Sequence, residues 1–203
     1  MLLSGSCCND SVERAVMQTL ISEDQLREGI TKFARRIDRE YAGRPLTLVA
    51  LLNGGVVFLA DLIRQVKIPI QFETIRTSSY RHATTSPGEL WVDRQAQPAV
   101  AGRHVLLIDD IFDTGQTLTK VKSLAEGWGA ASVRTAALLW KRSRSVDGAA
   151  PDEFLFEIPD LFVVGFGLDY NGAYRQLPMI AVLDASDATA ALTDQPGSVN
   201  HTT

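Results

Sequence analysis

Cysteine is nearly absent from this chain of 203 residues: Cys7 and Cys8 are the only two, and they are neighbours. A disulfide between adjacent residues would close a strained ring with little entropic benefit, and no second pair exists to complete a zinc site. Reduced thiols near the N-terminus are expected, and no function is assigned to them. A basic surplus is missing too. The formal charge is −4, so the chain carries no electrostatic footprint for nucleic acid, and a polyanionic partner is not expected. No apolar run approaches the span of a membrane helix. Met1 to Cys8 lacks the basic and apolar regions of a signal peptide, so a cytoplasmic protein with no membrane association is expected. The Gly-x-x-x-x-Gly-Lys of a nucleotide P-loop and the Gly-x-Gly-x-x-Gly of a dinucleotide fold are both absent.

What the chain does have is Val105-Leu106-Leu107-Ile108-Asp109-Asp110-Ile111-Phe112-Asp113-Thr114-Gly115-Gln116-Thr117-Leu118. Four apolar residues predict a strand buried on both faces, with two carboxylates at its C-terminal end and a turn that opens a helical pattern. Open α/β sheets bind ligands at such a place. Thr114, Gly115, Gln116 and Thr117 would offer backbone N–H groups and two hydroxyls at a helix N-terminus, whose partial positive charge favours a phosphate. Asp109 and Asp110 would repel that phosphate. Carboxylates so placed suit a sugar diol or a phosphate-bound Mg²⁺, although Asp also caps helices with no ligand at all.

With 45% hydrophobic and 22% charged residues, the composition is that of a globular domain, and the length fits one domain with room for a small appendage. Ser22 and Gln25 make a capping box, after which Leu26, Ile30, Phe33, Ile37 and Tyr41 recur at helical spacing until Ala42-Gly43. Leu46 to Leu52 is an apolar run of strand length, broken by Asn53-Gly54-Gly55. Val56 to Gln65 reads as a helix and Ile68 to about Thr77 as a second strand. Ser78 to roughly Pro98 is polar and reads as a long loop, the kind of segment that forms a lid. A helix from about Gln116 to Trp128 and a strand from Ser132 to Trp140 follow the central strand. The latter runs into Lys141-Arg142-Ser143-Arg144, which by itself reads as a solvated basic run. Alternating strands and helices predict a parallel sheet covered on both faces. After Gly148 four phenylalanines, 154, 156, 162 and 166, crowd a short stretch. Leu161 to Phe166 reads as a strand and Leu168 to Gly172 as a turn. The expected division is an arm over 1–20, a domain over 21–184 whose hood takes about 150–184 together with an N-terminal piece, and a disordered tail over 185–203.

The central stretch, a hydrophobic strand, Asp-Asp, two residues and then Asp-Thr-Gly-x-Thr, looks like the signature of the phosphoribosyltransferases that bind phosphoribosyl pyrophosphate (PRPP). Leu51-Leu52-Asn53-Gly54-Gly55, Ser78-Ser79-Tyr80, Lys141-Arg142 and the run from Glu157 to Tyr170 follow in that family's order. From about Ile21 to Leu183 the chain resembles the hypoxanthine-guanine phosphoribosyltransferases. The resemblance implies the type I phosphoribosyltransferase fold, α/β with a central parallel sheet flanked by helices and a small hood lobe. It also implies Mg²⁺-dependent transfer of the phosphoribosyl group from PRPP to N9 of hypoxanthine or guanine in purine salvage, giving IMP or GMP and pyrophosphate. Adenine enzymes of the superfamily usually carry Ala at the position of Asp113, and uracil enzymes depart at Asp110, so Asp113 points to a 6-oxopurine.

The roles implied by the resemblance carry over position by position. Asp109 and Asp110 would hold the ribose hydroxyls and the Mg²⁺ around them, and Asp113 would take the N7 or N9 proton as general base. Asp113, Thr114, Gly115, Gln116 and Thr117 would cradle the 5′-phosphate. Asn53, Gly54, Gly55, Ser79, Tyr80 and Arg175 match the pyrophosphate positions. Lys141 matches the donor to the purine O6, Phe162 the ring that stacks on the base, the Val163 carbonyl the reader of N1 and a 2-amino group, and Asp169 a residue beside the purine that binds a second Mg²⁺. Phe154, Phe156 and Phe166 are expected in the core. Many family members carry Lys or Arg where this chain has Asn53. The family's loop often holds an unusual peptide conformation there, and Asn-Gly is permissive of strained backbone angles. A homodimer or homotetramer is implied, with no interface identified. A non-catalytic, RNA-binding regulator is opposed by the low basic content and by Asp113 with Lys141. A phosphohydrolase using Asp109 would need Asp-x-Asp, where this chain has Asp-Asp-x-x-Asp.

Overall fold

The computed structural model describes residues 17–79, 90–92 and 97–183. Helix α1 (Glu23–Glu40) follows the short strand β1 (Gln18–Ile21) and starts as its sequence predicts. The Gln25 N–H donates to Ser22 Oγ at 3.3 Å and the Ser22 N–H donates to Gln25 Oε1 at 2.8 Å, which satisfies two otherwise unpaired groups. Leu26, Ile30, Phe33, Ala34 and Ile37 form its buried stripe. The chain then runs through β2 (Leu46–Leu52), α2 (Gly55–Ile63), β3 (Ile70–Ser79), β4 (Leu90–Val92), β5 (His104–Phe112), α3 (Gln116–Gly127), β6 (Ser132–Trp140) and β7 (Glu153–Glu157).

The large sheet has the order β4-β3-β2-β5-β6-β7, with β4 antiparallel to β3 and every other pairing parallel. Side chains alternate across a strand, and each strand therefore feeds two cores. Leu46, Leu48 and Ala50 of β2 and Leu106 and Ile108 of β5 meet α1 and α2 on one face. Val49, Leu51, Val105 and Leu107 meet Leu118, Val121 and Ala125 of α3 on the other. This double burial is why these strands read as unbroken apolar runs.

A second, three-stranded sheet of order β1-β9-β8 is built from β1, β8 (Val163–Val164) and β9 (Ile180–Val182). Its composition corrects two expected boundaries. Gln18 to Leu20 belong to this hood rather than to an arm, since Gln18 pairs with Val182 and Thr19 with Ala181. At the other end, 153–157 is the edge strand of the large sheet, with Ala137 opposite Phe154 and Leu139 opposite Phe156. Charge and packing hold it there: Glu153 lies between Arg134 of β6 and Arg36 of α1, and the Phe156 ring fills the space beside Gly29. Phe166 is buried as expected, whereas Phe154 is 37% exposed and tilts against Trp140 with ring centroids 4.9 Å apart. The strand expected over 161–166 shortens to two residues, because Gly165, Phe166 and Gly167 all have positive φ (+99°, +47° and +103°). The polar segment after Ser78 is in part a β-hairpin, with Thr77 opposite Val92 and Ser79 opposite Leu90. The rest of the expected lid, most of the expected arm with Cys7 and Cys8, and the expected tail lie outside the described residues.

Candidate functional site

Strand β2 pairs with β5 only as far as Ala50 opposite Ile108, while β5 continues along β6 to Phe112 opposite Trp140. The divergence opens a cleft of about 450 Å³ at the C-terminal ends of the strands, lined by Leu52, Gly54, Thr77, the run from Asp109 to Leu118, and Arg144. The central stretch of the sequence thus forms most of one wall.

Asp109 and Asp110 are the last polar pair of β5 before the turn. The Asp110 N–H donates to Asp109 Oδ1 at 3.0 Å. Burial pushes the Asp109 carboxyl well above its ordinary pKa, and the negative charge of Asp110 adds to the push. Burial also raises Asp110, against hydrogen bonds from Asp109 and the Ile111 backbone and the nearby charge of Arg175, which favour its ionised form. Two crowded carboxyls of this kind favour a cation beside them. Among the described residues no three His, Cys, Asp or Glu side chains converge as a complete metal cage. The pair offers the kind of donors by which Mg²⁺ commonly binds, one or two carboxylates with water and substrate oxygens in the other positions.

Opposite the acids, Gly54 precedes α2 with ordinary helical angles, φ −62° and ψ −46°, and the peptide between Leu52 and Asn53 is cis. The cis peptide is the unusual conformation expected of this loop, whereas Gly54 itself needs space rather than special angles: a Cβ there would stand 1.7 Å from Asp110 Oδ2. Gly55 is similarly confined, with its Cβ position 2.8 Å from the Ile108 carbonyl oxygen. Asn53 is exposed. Past β5, Gly115 has φ +85° and fronts the first turn of α3 without a side-chain cap, and its Cβ position falls 2.5 Å from the Phe112 ring. Thr114 Oγ1 accepts a long 3.5 Å bond from the Gln116 N–H. Thr114 to Thr117 consequently present an N-terminal helix turn to the cleft.

Asp113 is held. Its Oδ1 accepts from Arg144 Nε at 2.9 Å, and this bond, then the charges of Asp113 and Asp160, push the Arg144 pKa up. Arg144 Nη1 lies 3.6 Å from Asp160 Oδ2, and Lys141 Nζ lies 3.5 Å from Asp160 Oδ1. Lys141 is only 9% exposed, which takes it out of the solvated run, while Arg142, Ser143 and Arg144 remain exposed. Arg142 instead pairs with Glu157 at 3.0 Å and covers the Trp140 ring at 4.2 Å.

The hood supplies the far side. Phe162 is 53% exposed and stands edge-on to Tyr170 with centroids 5.6 Å apart. The Leu183 N–H donates to the Phe162 carbonyl at 3.0 Å, so the pleat turns the Val163 carbonyl to the unpaired edge of β8. Asp169 and Arg175 hold each other: Arg175 Nη2 is 2.5 Å from Asp169 Oδ1, the Gly172 N–H donates to Asp169 Oδ2 at 2.8 Å, and Arg175 Nη1 donates to the Gly167 carbonyl. The structure thus brings Asp109, Asp110, the phosphate turn and Gly54 together. It links Lys141 to them through Asp160 and Arg144, brings Arg175 near enough for its charge to act on Asp110, and leaves Phe162, Val163 and Asp169 off the cleft wall. Ser79 ends β3, and Tyr80 lies outside the described residues. Arg144, Asp160 and Thr77 carry no site role in the sequence, where Arg144 reads only as part of the basic run. A basic residue three positions after Lys141 was the one available signal, and nothing local marked Asp160 or Thr77.

Residues 22–171 match the phosphoribosyl transferase domain family. The chain belongs to that family. It is similar to the hypoxanthine-guanine phosphoribosyltransferase of Streptococcus pneumoniae, with 37% identity over 172 residues that cover 85% of this chain and 96% of that protein. The enzyme of the same name from Lactococcus lactis is 37% identical over 173 residues, covering 85% and 94%. Among solved structures, a hypoxanthine phosphoribosyltransferase from Staphylococcus aureus superimposes with TM-score 0.79 at 30% identity, over 88% of this chain and 97% of that one. A ternary substrate complex of a hypoxanthine phosphoribosyltransferase variant from Trypanosoma cruzi gives TM-score 0.77 at 34% identity, over 84% and 96%. These two solved structures share the fold described here.

Proposed function

We propose that this protein transfers the phosphoribosyl group from PRPP to N9 of hypoxanthine or guanine, giving IMP or GMP and pyrophosphate, as a purine-salvage enzyme of the cytoplasm. The observation that carries the reading is the single cleft in which Asp109, Asp110 and Asp113 face a phosphate-type helix turn and the confined Gly54. The C1′–oxygen bond to pyrophosphate breaks, the C1′–N9 bond forms, and the proton displaced from the base moves to Asp113. The backbone of Thr114 to Thr117 holds the 5′-phosphate, Asp109 and Asp110 hold the ribose hydroxyls, and the backbone of Gly54 and Gly55 approaches the pyrophosphate. When bound at the acid pair, Mg²⁺ supplies positive charge against the departing pyrophosphate. Lys141 donates to O6 and so favours a keto purine over an amino purine, while Phe162 stacks on the ring and the Val163 carbonyl accepts from N1 and a 2-amino group. Asp169 would hold a second Mg²⁺, and Arg175, which pairs with Asp169, would serve the pyrophosphate. Such catalysis is positioning and electrostatics, with little covalent work for the protein.

The cytoplasmic assignment is consistent with the described helices, none of which is long and apolar enough to cross a membrane. A homodimer or homotetramer is the proposed assembly, with no nucleic-acid partner. The test is pyrophosphate release from PRPP with each purine in turn, with and without Mg²⁺. Turnover with hypoxanthine and guanine, its loss in a chelator, and none with adenine are expected. Turnover with adenine alone would refute the reading.

A further inference from the structure

Asp113 and Lys141 are assigned to opposite jobs at the same purine, one taking a proton at the imidazole side and the other donating to O6. They are joined by two side chains to which no role has been given. Arg144 Nε bonds Asp113 Oδ1 at 2.9 Å, Arg144 Nη1 and Asp160 Oδ2 are 3.6 Å apart, and Asp160 Oδ1 and Lys141 Nζ are 3.5 Å apart. The backbone holds the same bridge in place. The Lys141 N–H donates to the Phe112 carbonyl at 3.0 Å, the Arg144 N–H to the Lys141 carbonyl at 3.0 Å, and the Val146 N–H to the Thr114 carbonyl at 3.3 Å. Trp140 Nε1 donates to Ser145 Oγ at 2.9 Å. The short 3-10 turn Arg142–Arg144 is therefore pinned to β6 and to the phosphate turn at once.

We propose that Arg144 and Asp160 are positioning residues that set the orientations of Asp113 and Lys141 together, so that the proton acceptor and the O6 donor are held at a fixed spacing for the purine. This rests on the assignment of Asp113 and Lys141 made above. Arg144 takes Asp113 Oδ1 and leaves Oδ2 for the base. Lys141 carries three donors, of which Asp160 uses one and the others stay free for O6. Arg144, Asp113 and Asp160 are each between 41% and 50% exposed, and ion pairs so exposed add little to stability. Orientation is different, because a small misplacement of a reacting group costs turnover steeply.

The experiment is a double-mutant cycle on the full chain, with steady-state kinetics for hypoxanthine and PRPP and a melting temperature for every variant. Arg144→Gln should lower kcat about ten-fold in the wild-type background and less than about two-fold in an Asp113→Asn background, since a residue acting through Asp113 has nothing left to act on. The KM for PRPP and the melting temperature should hardly move. Asp160→Asn should raise the KM for hypoxanthine about five-fold in the wild type and leave a Lys141→Ala variant unchanged. Arg144→Lys, which keeps the charge but loses the planar fork, should recover only part of kcat and serves in place of the glutamine variant if that one folds poorly. Equal factors in both backgrounds, or no effect in the wild type, would overturn the bridge while leaving the Asp113 assignment standing. Full turnover by Asp113→Asn itself would instead remove the assignment on which the bridge rests.

Discussion

Asp109 illustrates a residue whose placement works against the stability of the fold. Because folding raises its pKa, the folded chain binds more protons than the unfolded chain above the ordinary carboxylate value of 3.8, so stability falls as pH rises through that window and levels off once the folded-state carboxyl has ionised. Replacing the charge should then stabilise the ligand-free protein. Asp109→Asn is expected to raise the melting temperature by roughly a few degrees near neutral pH, with a smaller gain near pH 4, while turnover collapses. Scans of both proteins at the two pH values decide it. A lower melting temperature at neutral pH would mean that the carboxylate holds the strand end together. Lys141 poses the complementary question at the purine. It is nearly buried and reaches Asp160, so Lys141→Ala should raise the KM for hypoxanthine and guanine by about ten-fold or more while leaving that for PRPP within about two-fold. Equal rises for both substrates would show Lys141 to be structural.

The loop between β2 and α2 turns on how closely two elements approach. A Cβ on Gly54 would overlap the Asp110 carboxylate at 1.7 Å, so Gly54→Ala must push aside a side chain that the proposed ribose and Mg²⁺ site needs. A PRPP titration in matched salt should show at least about a ten-fold loss of affinity for this variant, whereas Asn53→Lys, at an exposed position, should gain no more than about 1 kcal/mol. A large gain for the lysine with little loss for the alanine would show that side-chain charge governs the loop. The same approach of elements explains what could be read in advance. Strands β2 and β6 match their expected bounds because burial on both faces writes an apolar run into the sequence, and α1 announced itself by its cap and stripe. The hood did not, since strands of two to four residues have no period to read, and β1 finds β9 some 160 positions away along the chain. The ion pairs of Arg144 were hidden for the same reason: Asp113 lies 31 residues from it, and no local pattern encodes that meeting. Gly54 was legible as a glycine that matters, but the reason lay in a strand not adjacent in sequence.

The whole molecule joins two sheets through one core. Ile21, Ile158, Val163, Phe166, Leu168 and Ile180 share a cluster with Leu48, Ala50, Phe58 and Leu106 of the large sheet and α2, so the hood is packed onto the α1 and α2 face rather than hung from a linker. The lobes also touch beside the cleft, where a Cβ on Gly167 would come within 2.4 Å of the Gly54 carbonyl oxygen. In the proposed reaction the work is nevertheless divided between them: the PRPP side would be built from β2, β5 and α3, and the purine side from the end of β6 and the hood. Strand β1 pairs with β9 of the hood through Gln18 and Thr19, packs Ile21 into the shared core and leads directly into the N-cap of α1. Removing it should therefore separate the two substrates. A chain lacking residues 1–20 is expected to lose about ten-fold in KM for hypoxanthine, because β9 loses one of its two neighbours and the β8 edge that carries Val163 loosens, while PRPP affinity stays within about three-fold. A chain lacking only residues 1–16 is the control, since it keeps β1 and its pairs with β9. Equal losses for both substrates in the shorter chain, with none in the control, would mean that hood and large sheet act as one cooperative body and that the purine side has no independent existence.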